Sequence, residues 1–85
     1  MTDAMPLAEA PAPDVDIDTS GLTCPLPILR AKKALSGMSS GQVLRVQATD
    51  RNSIADFQAF CRQTGNDLLF QQDGGQVFVH FLRRR

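Results

Sequence analysis

Two prolines spaced i, i+2 behind a cysteine, in Cys24-Pro25-Leu26-Pro27, constrain this chain more than any other stretch. Proline has no backbone N–H and a fixed φ, so a helix accepts it only in the first turn, where amides have no intrahelical acceptor. An amphipathic run, Ile28 to Met38, follows directly. The segment therefore reads as a helix start, with Pro25 at the first helical position, Pro27 two further on and Cys24 at the cap. A sulfur placed there faces the positive end of the helix dipole and the few amides still free to donate. Such surroundings favour the thiolate, so the Cys24 thiol is expected below its ordinary titration range.

At 85 residues the chain is one domain. A domain this short buries only about 60% of its unfolded surface, so its core has to be used efficiently. Two cysteines, Cys24 and Cys61, and one histidine exclude a disulfide scaffold, a C-x-x-C redox pair and a four-ligand zinc site, and no metal is expected. Two free thiols suit a reducing cytoplasm. The net charge of zero hides a division. Residues 1–23 carry five acidic and no basic residues; residues 24–85 carry nine basic against four acidic, a net +5. That half suits an anionic or acidic partner, or a solvated surface. The N-terminus lacks the basic and apolar regions of a secretory signal, and no apolar run approaches membrane-spanning length, so no membrane is expected.

Residues 1–13, rich in Ala and Pro, read as a disordered tail. Order is expected from Asp14, where Val15 and Ile17 alternate with Asp16 and Asp18 as in a strand with one wet face. Thr19-Ser20-Gly21 turns the chain, and Leu22 pins the loop that delivers Cys24. A helix from Pro25 to about Ser36 carries Ile28, Ala31, Leu35 and Met38 on its inner stripe, with Arg30 and Lys33 turned away. Val43 to Ala48 is a strand with Leu44, Val46 and Ala48 on the core side. A second helix, capped by Asp50 or Asn52, places Ile54, Phe57, Phe60 and Cys61 on one stripe and ends near Gly65. Leu68–Gln72 and Gln76–Leu82 flank Asp73-Gly74-Gly75 as a hairpin. The last strand is apolar on both faces, so it lies inside the sheet, with Phe78, His80 and Leu82 expected on the sheet's second face. The order β-α-β-α-β-β gives an α+β two-layer sandwich: a four-stranded mixed sheet with two helices packed on one face. Residues 14–82 form the domain, and Arg83-Arg84-Arg85 a basic tail.

A free cysteine is more often a small buried hydrophobe than a nucleophile. Cys24 departs from that habit, because a loop-to-helix junction beside Thr23 and two prolines is normally exposed. Cys61, on the inner stripe of the second helix, reads as core. No base is placed near Cys24 by sequence; His80, far along the chain, reads as packing or surface. A nucleophile without a positioned base, oxyanion hole or metal fits a carrier that takes a group from one protein and hands it to another by thiol exchange. Two other classes compete: a redox or regulatory switch in which Cys24 is oxidised, and a small RNA-binding module using Arg30, Lys32 and Lys33.

Asp18-Thr19-Ser20-Gly21-Leu22-Thr23-Cys24-Pro25-Leu26-Pro27-Ile28-Leu29 resembles the D-x-x-G-L-x-C-P-x-P signature of the TusA/SirA-like sulfur carrier proteins. The similarity continues through Lys32-Lys33-Ala34-Leu35, Ala48-Thr49-Asp50 and Phe60-Cys61, over roughly residues 14–82. The resemblance implies that Cys24 carries sulfane sulfur as a persulfide, with no cofactor beyond that sulfur. It also implies a sulfur donor such as a cysteine desulfurase or rhodanese, and an acceptor sulfur-relay protein. The route then ends in tRNA thiolation, cofactor synthesis or sulfur oxidation, without direct nucleic-acid binding and without independent turnover. In that picture Asp18, Gly21, Leu22, Pro25 and Pro27 support the sulfur, and Thr23, Arg30, Lys33 and Asp50 face partners. Many relatives have Arg or Lys where this chain has Thr23, which removes one positive charge from beside the thiol.

Overall fold

The computed structural model describes residues 11–85, and most of the expected tail lies outside them. The elements are β1 (Val15–Thr19), α1 (Leu26–Ser36), β2 (Val43–Ala48), α2 (Ser53–Thr64), β3 (Asp67–Asp73) and β4 (Phe78–Arg83). The sheet order is β1-β2-β4-β3, with β1 parallel to β2 and β4 antiparallel to both of its neighbours. The expected four-stranded mixed sheet with two helices on one face is the fold observed. A strand apolar on both sides belongs inside a sheet, and β4 is there.

Between helices and sheet lies the core: Ala31, Leu35 and Met38 from α1 and the turn after it, Phe57, Phe60 and Cys61 from α2, and Leu44, Val46 and Leu82 from the sheet. Phe57 is fully buried, 6.3 Å edge-on from Phe60 and stacked 4.6 Å from His80. The second face of the sheet carries a smaller cluster, Val43, Phe70 and Phe81, with Leu69 and Val79 packed on it.

The phase expected for β4 is reversed. His80 lies opposite Val46 and Leu82 opposite Leu44, so both point toward the helices, and Val79 and Phe81 occupy the second face. A strand apolar on both sides carries no contrast from which its phase can be read. Asp73-Gly74-Gly75 does turn the hairpin. Gly75 sits at φ +86°, and its N–H donates to the Asp73 carboxylate at 2.9 Å.

Arg83-Arg84-Arg85, expected as a tail, is bonded into the fold. Arg83 ends β4 and pairs with Asp67 at 2.7 Å. Arg84 Nε donates to the Leu35 carbonyl at 2.8 Å, and Arg85 N–H to Asn66 Oδ1 at 3.0 Å. Cations suit that place, where the C-terminal carbonyls of a helix lack partners.

His80 is fully buried and polar. Gln71 Nε2 lies 3.1 Å from its Nδ1, which therefore accepts, and its Nε2 lies 2.9 Å from Ser53 Oγ. Burial pushes the imidazole down to about 4 from an ordinary 6.5. Between those values the unfolded chain binds a proton that the folded chain refuses, so stability is lost as pH falls through that window and is intact above it. The loss attributable to His80 is of the order of 3 kcal/mol. Denaturant titrations of the parent and of His80→Gln between pH 7 and pH 4 check this. The parent is expected to lose stability more steeply than the variant, and parallel curves would contradict it.

Candidate functional site

The loop between β1 and α1 is built from short-range bonds that the sequence itself supplies. Asp18 Oδ1 accepts from Ser20 N–H at 2.9 Å and from Ser20 Oγ at 2.6 Å, and these bonds hold its carboxyl below its ordinary value. Gly21 follows at φ +81°, a conformation that L side chains avoid, and the Leu22 N–H closes on the Thr19 carbonyl at 3.1 Å.

Two further bonds tie this loop to the β2–α2 connection. Gly21 N–H donates to Thr49 Oγ1 at 2.8 Å, and Cys24 N–H donates to Asp50 Oδ2 at 2.7 Å. The other Asp50 oxygen accepts from Asn52 N–H at 3.0 Å. One carboxylate thus joins the cysteine to the start of α2. Asp50, expected to face partners, is half-buried and spends both oxygens inside the molecule.

Cys24 is exposed and Cys61 buried. The helix begins one residue later than the proline pair suggested: Pro25 is the N-cap, Leu26 the first helical residue, and buried Pro27 the second. Cys24 stands outside the helix, joined to Pro25 by a cis peptide bond. The cause of the shift is local. Leu26 N–H donates to the Thr23 carbonyl at 2.8 Å, closing a separate turn before the first α-helical bond, Leu29 N–H to Pro25 O at 3.1 Å. With Leu26 engaged and Pro27 lacking an N–H, few helix amides remain to face the sulfur.

The charge around that sulfur is opposite to the expectation. Asp56, in the first turn of α2, has the largest part in pushing the Cys24 thiol up; partial desolvation and the charges of Asp56 and Asp50 act in the same direction. Asp56 is the residue that sequence reasoning missed. Its one sequence signal, an acid in the first turn of a helix, is fully explained by that helix's own dipole.

The remaining candidates separate into two groups. Asp18 lines a surface groove between β1 and α1 with Arg30 and Lys33, beside Ile17, Thr19 and Ala34. Thr23, Leu26 and Leu29 are exposed around the start of α1, with Leu26 at 43% and Leu29 at 51% accessibility. Leu22 is half-buried, as a loop anchor requires. His80 is enclosed among Phe57, Ser53 and Gln71 with both ring nitrogens engaged, so it is not an available base. Burial raises the Cys61 thiol to about 11, as expected of a core residue. Among the described residues no cluster of His, Cys, Asp and Glu is suited to a metal, and no helix is long and apolar enough to cross a membrane.

Fold and loop together define a two-layer α+β domain that presents one exposed cysteine just ahead of a proline-started helix. The chain belongs to the TusA sulfurtransferase family, whose model matches residues 15–84. It is 58% identical over 72 residues to the sulfur carrier protein TusA of Allochromatium vinosum, covering 85% of this chain and 93% of that one. With the sulfur carrier protein TusA of Pseudomonas putida it shares 33% identity over 73 residues, covering 86% and 91%. The crystal structure of a SirA-like protein from Desulfitobacterium hafniense is similar at a TM-score of 0.72 and 27% identity, over 81% of this chain and 95% of that one.

Proposed function

We propose that this protein is a sulfur carrier that accepts sulfane sulfur on Cys24 as a persulfide and relays it to an acceptor protein. The observation that carries this reading is an exposed cysteine held by its own main chain, in a loop bonded twice to the β2–α2 connection. The similarity to proteins named sulfur carriers supports it. Loading is a displacement at sulfur. Cys24 Sγ, as thiolate, attacks the terminal sulfur of a donor persulfide. The donor's S–S bond breaks, the donor cysteine leaves as thiolate with the electron pair, and a new Sγ–S bond forms. Discharge repeats the step with the acceptor thiolate attacking and Cys24 Sγ leaving. Neither step has a net oxidant or reductant, so no metal or organic cofactor enters.

The surroundings suit a partner-dependent reaction. Leu26 and Leu29 offer an apolar surface beside the cysteine, continued along α1 by Arg30 and Lys33. The donor on this reading is a cysteine desulfurase or rhodanese, and the compartment the cytoplasm. The redox-switch reading is disfavoured, because Cys61 is buried and offers Cys24 no resolving thiol, while the named relatives are sulfur carriers. RNA binding is disfavoured too: Arg45 and Arg83 are in ion pairs and Arg84 is bonded to backbone, so the basic surplus is dispersed.

Incubation with a cysteine desulfurase and cysteine tests the reading by intact-protein mass. A gain of sulfur that reductant removes is expected, and an unchanged mass after full turnover of the donor would remove the proposal.

A further inference from the structure

Among the described residues, the charged groups that act on Cys24 are two carboxylates, one from the β2–α2 connection and one from α2. Asp50, in the β2–α2 connection, places Oδ2 2.7 Å from Cys24 N, and its second oxygen is held by Asn52 N–H at 3.0 Å, so this charge is fixed in place. Asp56 is half-buried in the first turn of α2, the helix whose start Asp50 is bonded to, and it raises the Cys24 thiol. Among the described residues no basic side chain is bonded to Asp50 or Asp56. Arg51 turns to the hairpin, with its guanidinium carbon 5.8 Å from the centroid of the Phe78 ring and its Nη2 3.5 Å from the Gly75 carbonyl. Arg30 and Lys33 line the groove with Asp18.

We infer that Asp50 and Asp56 restrain sulfur transfer at Cys24, so that the loaded protein gives up its sulfur slowly in free solution and rapidly only to a partner that brings positive charge against both carboxylates. The inference rests on the sulfur-carrier reading and adds to it the chemistry of the partner. In discharge an incoming thiolate attacks the outer sulfur of Cys24–Sγ–SH. The Sγ–S bond breaks, Sγ departs with the electron pair, and it then takes a proton from water. Negative charge beside Sγ makes it a poorer leaving group, because leaving slows as the departing thiol holds its proton more tightly. The same charge repels the attacking thiolate. A cation docked against Asp50 and Asp56 relieves both effects, whereas a small thiol in solution relieves neither.

The test uses the full chain and its Asp56→Asn and Asp56→Lys variants, each loaded with inorganic polysulfide, freed of excess and then exposed to 2-mercaptoethanol. Loss of the bound sulfur is followed by intact mass. Asp56→Asn is expected to discharge roughly three- to tenfold faster than the parent, about what one unit charge at contact distance in water gives. Asp56→Lys is expected to be faster again, and the gap between parent and Asp56→Asn to narrow as salt is raised. Asp50→Asn keeps an oxygen for Cys24 N–H but sets its amide nitrogen against Asn52 N–H, so it is compared once circular dichroism shows the parent's fold, and should then move in the same direction. A role limited to holding the loop would shift the Asp56 variants alike, with no ordering by charge and no response to salt, and would overturn the inference. Equal rates in all proteins would overturn it as well, while leaving Cys24 a carrier. Failure of the parent to take up sulfur on Cys24 would remove the carrier reading and this inference together.

Discussion

Phe57→Ala is expected to lower the stability of the domain by about 3–5 kcal/mol, the largest loss among its single core truncations. Phe57 is fully buried at the centre of the helix–sheet interface and touches both Phe60 and the ring of His80. Truncating a buried phenylalanine costs about 3–5 kcal/mol, from lost transfer energy and from the cavity left behind. At roughly 0.05–0.15 kcal/mol per residue, a domain of this length holds only about 4–13 kcal/mol in total. His80 adds to the cost, since it would lose its stacked neighbour while keeping two hydrogen bonds that fix its place. Urea titration followed by circular dichroism measures the change. A loss below about 1 kcal/mol would mean that Phe57 is not the centre of this core.

Cys24→Ser is expected to abolish sulfur loading and leave the fold unchanged, while Cys61→Ser loads like the parent. Cys24 is exposed, and its contribution to the loop is a main-chain N–H that serine also has. A hydroxyl cannot replace the thiolate as nucleophile toward a persulfide. Cys61 has the opposite character. It is 6% accessible within the core, and its thiol is raised to about 11. Its replacement by serine should therefore appear in stability, through a buried hydroxyl, rather than in loading. Intact mass after donor treatment, together with the unfolding midpoint of each variant, separates the two effects. Undiminished loading of the Cys24→Ser protein would remove Cys24 from the chemistry.

Much of the fold is legible in the chain because its local signals agree. Alternation in Val15–Asp18, the stripe Ala31–Leu35–Met38, and Asp-Gly-Gly between apolar runs each point to one element. The inner placement of β4 follows from its apolar residues on both sides. The same property hid which of its faces meets the helices. The start of α1 was displaced by a single bond, Leu26 N–H to Thr23 O, which a rule about prolines in first turns does not contain. The electrostatics of Cys24 were illegible for a stronger reason. Asp50 and Asp56 lie 26 and 32 residues further along the chain, and only the packing of α2 beside the cysteine loop brings them to the thiol. Local pattern singled out Cys24 as the exposed cysteine; its chemical environment is a property of the tertiary structure.

The central claim, that Cys24 is the atom that carries the sulfur, is tested most directly by locating that sulfur. Trypsin separates the two cysteines, since Cys24 lies in a peptide ending at Arg30 and Cys61 in the peptide from Asn52 to Arg62. After donor treatment, alkylation and digestion, the added sulfur is expected on the Arg30-terminated peptide, with fragment ions placing it at Cys24. Sulfur found on the Asn52–Arg62 peptide, or on neither, would contradict the account.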